Sequence, residues 1–127
     1  MRIRIVLPWR AVLDEEAVKV VAEGPMGSFA VLPRHLDWAT ALVPGILSYA
    51  PPGGGERFVA VDEGIFIKRG PLVLAAVRRA VFGELGALRE EVRDMLLDVD
   101  DQERKTRSAV ARLEARFAKG ILELEKQ

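Results

Sequence analysis

Phe58-Val59-Ala60-Val61-Asp62-Glu63-Gly64-Ile65-Phe66-Ile67-Lys68-Arg69-Gly70-Pro71-Leu72-Val73-Leu74-Ala75-Ala76-Val77 is the stretch that decides the fold. It contains three short apolar runs, beginning at Phe58, Ile65 and Leu72, and the last two flank the turn Arg69-Gly70-Pro71. Runs this short, closed by glycine and proline, are strands, because a helix needs about a dozen uninterrupted residues. Working toward the N-terminus, Ile46-Leu47-Ser48-Tyr49 faces Phe58 across Pro51-Pro52-Gly53-Gly54-Gly55, which reads as a hairpin loop. Phe29-Ala30-Val31-Leu32 follows the turn Gly24-Pro25-Met26-Gly27, and Val18 and Val20 alternate with Lys19 and Val21. At the start, Met1, Ile3, Ile5 and Leu7 alternate with Arg2 and Arg4, the period-2 pattern of a half-buried strand. Short strands at this spacing predict a sandwich or a small barrel.

The pattern changes near Gly83. All seven prolines precede residue 72, and ten of the eleven glycines precede residue 87. From residue 84 onward, 20 of 44 side chains are charged, 9 basic and 11 acidic. Leu85, Leu88, Val92, Met95 and Leu96 follow helical spacing, as do Val110, Leu113, Phe117, Ile121 and Leu124. Between them, Leu97-Asp98-Val99-Asp100-Asp101 reads as an acidic turn, with Asp100 capping a second helix and Glu103 completing a capping box. The expected fold class is therefore α+β: a β-sandwich over residues 1–83, then an antiparallel two-helix hairpin over 84–127.

Composition excludes several functions. The 127 residues are 50% apolar and 30% charged, enough to bury a core. Nineteen basic and nineteen acidic residues balance to zero, whereas a nucleic-acid binder normally carries a basic excess. The absence of cysteine removes disulfides, thiol catalysis and Cys-ligated metals, and a single histidine removes two-His metal motifs. No catalytic residue, cofactor site or metal site is expected. The stretch from Trp38 to Gly55 is uncharged, but its prolines and glycines preclude a membrane span, and Pro8 and Arg10 interrupt any signal-peptide core. With neither address nor cysteine, the expected compartment is the cytoplasm.

His35, with Asp37 two residues on, has no nucleophile at a recognisable spacing, so a structural or interface role outweighs a hydrolytic one. Gly53-Gly54-Gly55 is followed by Glu56-Arg57 in place of the Lys-Ser of a phosphate loop. On the second helix, Lys105, Arg112, Arg116 and Lys119 project within about 60° of one another. Such a stripe is either a solvated face or a docking surface for an acidic partner.

The segment Gly24-Pro25-Met26-Gly27-Ser28-Phe29-Ala30-Val31-Leu32-Pro33-Arg34-His35, followed by Thr40, Leu42, Pro44 and Gly45, resembles the epsilon subunit of F-type ATP synthases. That family's hallmark is G-x-x-G-x-[FL]-G-[IL]-L-P-G-H and then T-x-L-x-P-G. Ala30 and Arg34 stand where glycines are usual, and Asp37 where proline is usual. In these departures the chain is similar to the alternate, N-type branch of the family.

The resemblance implies a β-sandwich with a helical hairpin, acting as a non-catalytic central-stalk subunit. Its implied partners are the gamma subunit and the membrane c-ring, with the hairpin reaching the catalytic alpha/beta head and inhibiting hydrolysis. It implies contacts with ring or gamma at Ser28, Arg34, His35, Pro44 and Gly45, and a peripheral position on the cytoplasmic face of the plasma membrane. The basic stripe would then meet the head. ATP binding is expected to be weak or absent: where many members carry L-D-x-x-R-A, this chain has Leu85-Gly86-Ala87-Leu88-Arg89-Glu90, which lacks the aspartate and adds Glu90 where a triphosphate would approach. Two other classes remain, an adaptor for an unrelated complex and a small hydrolase built on His35 and Asp37.

Overall fold

The computed structural model describes residues 1–125, with side chains for 1–110, 112 and 113. Ten strands build two five-stranded sheets. β1 (Arg2–Leu7), β2 (Arg10–Glu16), β5 (Trp38–Leu42), β8 (Gly64–Arg69) and β9 (Leu72–Val77) form one, in the order β2-β1-β9-β8-β5. β3 (Lys19–Gly24), β4 (Gly27–Val31), β6 (Gly45–Ala50), β7 (Arg57–Val61) and β10 (Ala80–Phe82) form the other, in the order β10-β7-β6-β3-β4. All pairings are antiparallel except β1 with β9.

Alternation explains the core. Ile3, Ile5, Val73, Ala75, Val77 and Phe66 point inward from the first sheet, meeting Val20, Ala22, Val31, Leu47, Val59 and Val61 from the second. All are buried, and their clustering is what holds two sheets face to face. Gly64 is required here by space. A Cβ on it would lie 2.0 Å from Ala76 O and 2.8 Å from Val77 Cα, so only glycine lets β8 approach β9 this closely.

Residues 85–125 form one helix, α1 (Leu85–Glu125), and the expected break at 97–101 does not occur. This corrects the two-helix hairpin. The acidic segment contains neither glycine nor proline, so continuing the helix through it costs only the modest propensity of aspartate. Exposed i,i+4 pairs support continuation: Lys105 with Asp101 at 3.2 Å and Arg107 with Glu103 at 3.7 Å. Thr106 Oγ1 also donates to Gln102 O at 2.9 Å.

The compact units divide at Met1–Met95 and Leu96–Gln127, so the opening turns of α1 belong with the sandwich. Leu88 and Met95 are buried there, packed with Val92 on Ala60, Ile46, Phe58 and Val81 of the second sheet's outer face. In the second unit, Leu96, Leu97, Val110 and Leu113 are exposed. The side chains of Arg116 and Lys119, half of the expected basic stripe, lie outside the described residues.

Candidate functional site

Strand direction sorts the turns onto two ends of the sandwich. β1 and β9 run parallel, so Pro8-Trp9, Asp62-Glu63 and Arg78-Arg79 share one end. The pairings Gly24 with Gly27 and Gly45 with Val61 bring Pro25-Met26 and Val43-Pro44 to the same end. The loop 32–37, the turn Arg69-Gly70-Pro71 and the loop 51–56 lie at the other, one strand length away, about 20 Å for six residues.

The five expected contact residues are thereby divided. Ser28, Pro44 and Gly45 stand at the first end, whereas Arg34 and His35 stand at the second. The two sets stand one strand length apart, about 20 Å. Spacing along the chain could not reveal this, because β4 carries the chain from one end to the other within five residues.

At the first end, Val43 N–H donates to Glu23 O at 3.1 Å, tying the Pro44 turn to β3. Gly45 packs under Glu23, whose Cγ would lie 2.6 Å from a Cβ there. Trp9 and Met26 are fully or largely exposed at the turn tips. Beneath them, fully buried Asp62 joins two turns. Its Oδ1 accepts the Glu63 N–H at 2.7 Å, and its Oδ2 accepts from Arg78 Nε and Nη2 at 3.1 and 2.9 Å and from Arg79 Nε at 2.8 Å. Burial alone would raise the Asp62 carboxyl, but the Glu63 amide and then the two guanidinium groups outweigh it and hold it below the usual carboxylate range.

At the second end, Phe29, Trp38 and Phe66 pack edge to face, with centroids 4.9 and 5.0 Å apart for the pairs through Phe29. The His35 ring leans on Trp38, and its Nδ1 lies 2.7 Å from Leu36 O; a carbonyl only accepts, so Nδ1 carries the proton. Asp37 Oδ1 accepts the Gly70 N–H at 2.7 Å, which anchors the loop on the β8–β9 turn. Asp37 is thus occupied in holding a turn with φ of 54° at Gly70. The cavity beside His35 has no hydroxyl or thiol in its lining, so the His35–Asp37 pair has no such nucleophile to activate.

The first sheet's outer face is a third surface. Register places Val6, Ala76, Ile65 and Ala41 in one row and Leu74, Ile67 and Ala39 in the next. Arg2 and Arg4 border these rows, ion-paired with Asp14, and Arg2 also meets Glu16 at 3.2 Å. The carboxyl of Asp14 is lowered first by its hydrogen bond from Arg2. Ile65, Ala39 and Ala41 are exposed and the other four partly so. On α1, Lys105 and Arg112 are exposed and line a shallow groove with Arg104 and Ser108.

Two buried charged residues, Asp62 and Lys68, escaped the sequence reading. Lys68 could have been found from its phase: it follows Phe66 by two, on the inward side of β8.

Residues 1–89 match the family described as ATP synthase, Delta/Epsilon chain, beta-sandwich domain. The chain is 32% identical over 125 residues to ATP synthase epsilon chain 2 of Cereibacter sphaeroides, covering 96% of this chain and 86% of that one. It is 30% identical over 125 residues to ATP synthase epsilon chain 2 of Paraburkholderia xenovorans, covering 96% and 90%. In fold it is similar to a chain of the Euglena gracilis mitochondrial ATP synthase, in a cryo-EM structure of OSCP, F1 and c-ring. There the TM-score is 0.60 at 21% identity, over 63% of this chain and 51% of that one. A chain of the Tetrahymena thermophila mitochondrial ATP synthase central stalk and c-ring gives 0.52 at 14% identity, over 65% and 66%.

Proposed function

Because the chain belongs to the ATP synthase delta/epsilon-chain family, we propose that it is the non-catalytic central-stalk subunit linking gamma to the c-ring of a rotary ATP synthase. The observation that carries this reading is the uncovered apolar face of the first sheet. Eight side chains, Val6, Ala39, Ala41, Ile65, Ile67, Leu72, Leu74 and Ala76, form adjoining rows there, while the opening turns of α1, as far as Met95, cover the second sheet instead. A contiguous apolar face of this kind marks a protein interface. Gamma is its occupant in this proposal, together with Arg34 and His35 at the adjoining end.

The opposite end meets the ring. Trp9 and Met26 present exposed apolar surface there with Ser28, while Pro44 and Gly45 are buried and shape the turn behind them, and the Asp62 network stiffens the two turns beside them. Rigid sheets with contact turns at one end suit torque transmission, since sheets resist shear while turns make contacts. The functional division falls at 83, with a coupling domain over 1–83 and a regulatory segment over 84–127. Lys105, Arg112, Arg116 and Lys119 dock that segment on an acidic surface of the alpha/beta head and restrain hydrolysis. No described helix is long and apolar enough to cross a membrane, and the complex holds the subunit peripherally at the cytoplasmic face. The N-type assignment draws support from the two relatives above, each named as a second epsilon chain.

Co-expression with the gamma subunit of the same organism tests the assignment. A stable complex is expected, with no ATP turnover by the isolated chain, and Ile65→Glu weakens the complex at least about tenfold. Robust hydrolysis by the purified chain, or no association with gamma, overturns it.

A further inference from the structure

Lys68 has no counter-ion among the described residues, and we propose that the cavity beside it receives one carboxylate, an Asp or Glu side chain of the gamma subunit. This rests on the placement of gamma proposed above.

Lys68 is only 2% exposed, in the inward phase of β8. Its Nζ donates to His35 O at 3.1 Å and to Gly70 O. An ammonium has three N–H groups, and both of these acceptors are neutral carbonyls. Among the described residues no carboxylate makes an ion pair with it. Asp62, the other charged side chain buried among the described residues, is answered by two guanidinium groups, and Lys68 differs from it in this. A charge taken out of water without an opposite partner is costly, and sequences retain one where something supplies the partner.

The cavity is open and about 710 Å³, and Lys68 lines it with Arg34, His35, Leu36, Asp37 and Pro71. Arg34 and Lys68 make it cationic, while Asp37 limits the excess to a single charge, apart from His35. A monoanion balances that set; a phosphate dianion overshoots it and meets Asp37 in the same cavity. The rim points to a protein as the source. Leu36 is 82% exposed, and Leu32 and Trp38 are exposed beside it, giving apolar contacts around a charged centre. Central polar anchors ringed by apolar contacts that exclude water are the usual anatomy of protein interfaces.

The test uses the full chain and its gamma subunit. Lys68→Met keeps the length of the side chain and removes its charge. Circular dichroism should show an unchanged fold, and calorimetry a loss of at least about tenfold in gamma affinity, with weaker salt dependence than the unaltered chain. A folded Lys68→Met chain that binds gamma as tightly as the unaltered one overturns the inference and leaves the stalk assignment standing. If the unaltered chain does not bind gamma, both fall. Acetate and phosphate titrations of the unaltered chain, followed by amide NMR at equal ionic strength, decide independently of that variant's folding. Acetate should shift His35, Asp37 and Gly70 more than phosphate does; no acetate shift, or a larger phosphate shift, overturns the proposal.

Discussion

Asp62→Asn should destabilise the sandwich in a pH-dependent way. Asp62 is fully buried, and its Oδ2 accepts three N–H bonds from Arg78 and Arg79. Asparagine preserves an acceptor for the Glu63 amide but points its own NH₂ at those donors. Hydrogen bonds to a charged group are worth about 1.5–3 kcal/mol each. Arg78 and Arg79 are 40% and 46% exposed, so they regain water and much of that is returned. A net loss of about 2–3 kcal/mol at neutral pH remains, within the range for breaking a buried charge network.

The sign of the pH dependence follows from the depressed carboxyl. A folded pKa below the unfolded value of about 3.9 means the unfolded chain binds more protons in that window. The contribution of Asp62 is therefore complete above that value and disappears as pH falls through the folded one. Asp14 is also lowered, but it is present in both proteins and cancels in the difference. Urea unfolding followed by circular dichroism, at pH 7 and in acid, should give a gap that is constant through neutrality and closes at low pH. A gap under about 0.5 kcal/mol at pH 7, the scatter of ordinary surface substitutions, or one that persists in acid, refutes the reasoning.

Gly64→Ala drives a methyl into Ala76 O and should cost about 3 kcal/mol or more, read as a lower thermal midpoint; an unchanged midpoint contradicts the packing described. Leu88→Ala removes a buried anchor of α1 on the second sheet and should cost about 2–5 kcal/mol. Hydrogen exchange over residues 85–95 should accelerate while strands of the first sheet stay protected; uniform acceleration contradicts it. Changing Lys105, Arg112, Arg116 and Lys119 together to alanine should raise ATP hydrolysis by the assembled complex. Each exposed charge contributes about 0–1 kcal/mol, so single changes should do little. An unchanged rate for the fourfold variant makes the stripe a solvated face.

The sequence by itself determined the central strands, the helical tail and the family. Ile3, Ile5, Val59, Val61, Phe66, Val73 and Ala75 declare themselves because a strand with a covered face must alternate or stay apolar. The turn motif from Gly24 to His35 declares the family because glycine and proline set backbone geometry locally. What the sequence did not show as strands were β2, β5 and β10, and each is the edge of a sheet. Edge strands pack on fewer neighbours, so charges and short lengths are tolerated there and alternation fades. The acidic segment at 97–101 misled for a related reason: aspartate favours turns only weakly, and neighbouring i,i+4 ion pairs offset it. Tertiary structure alone decided which residues share an end, since antiparallel strands carry neighbours in sequence to opposite ends of the sandwich. It separated Arg34 and His35 from Ser28, Pro44 and Gly45, and it buried Asp62 and Lys68, whose cost and use depend on what stands opposite them in space.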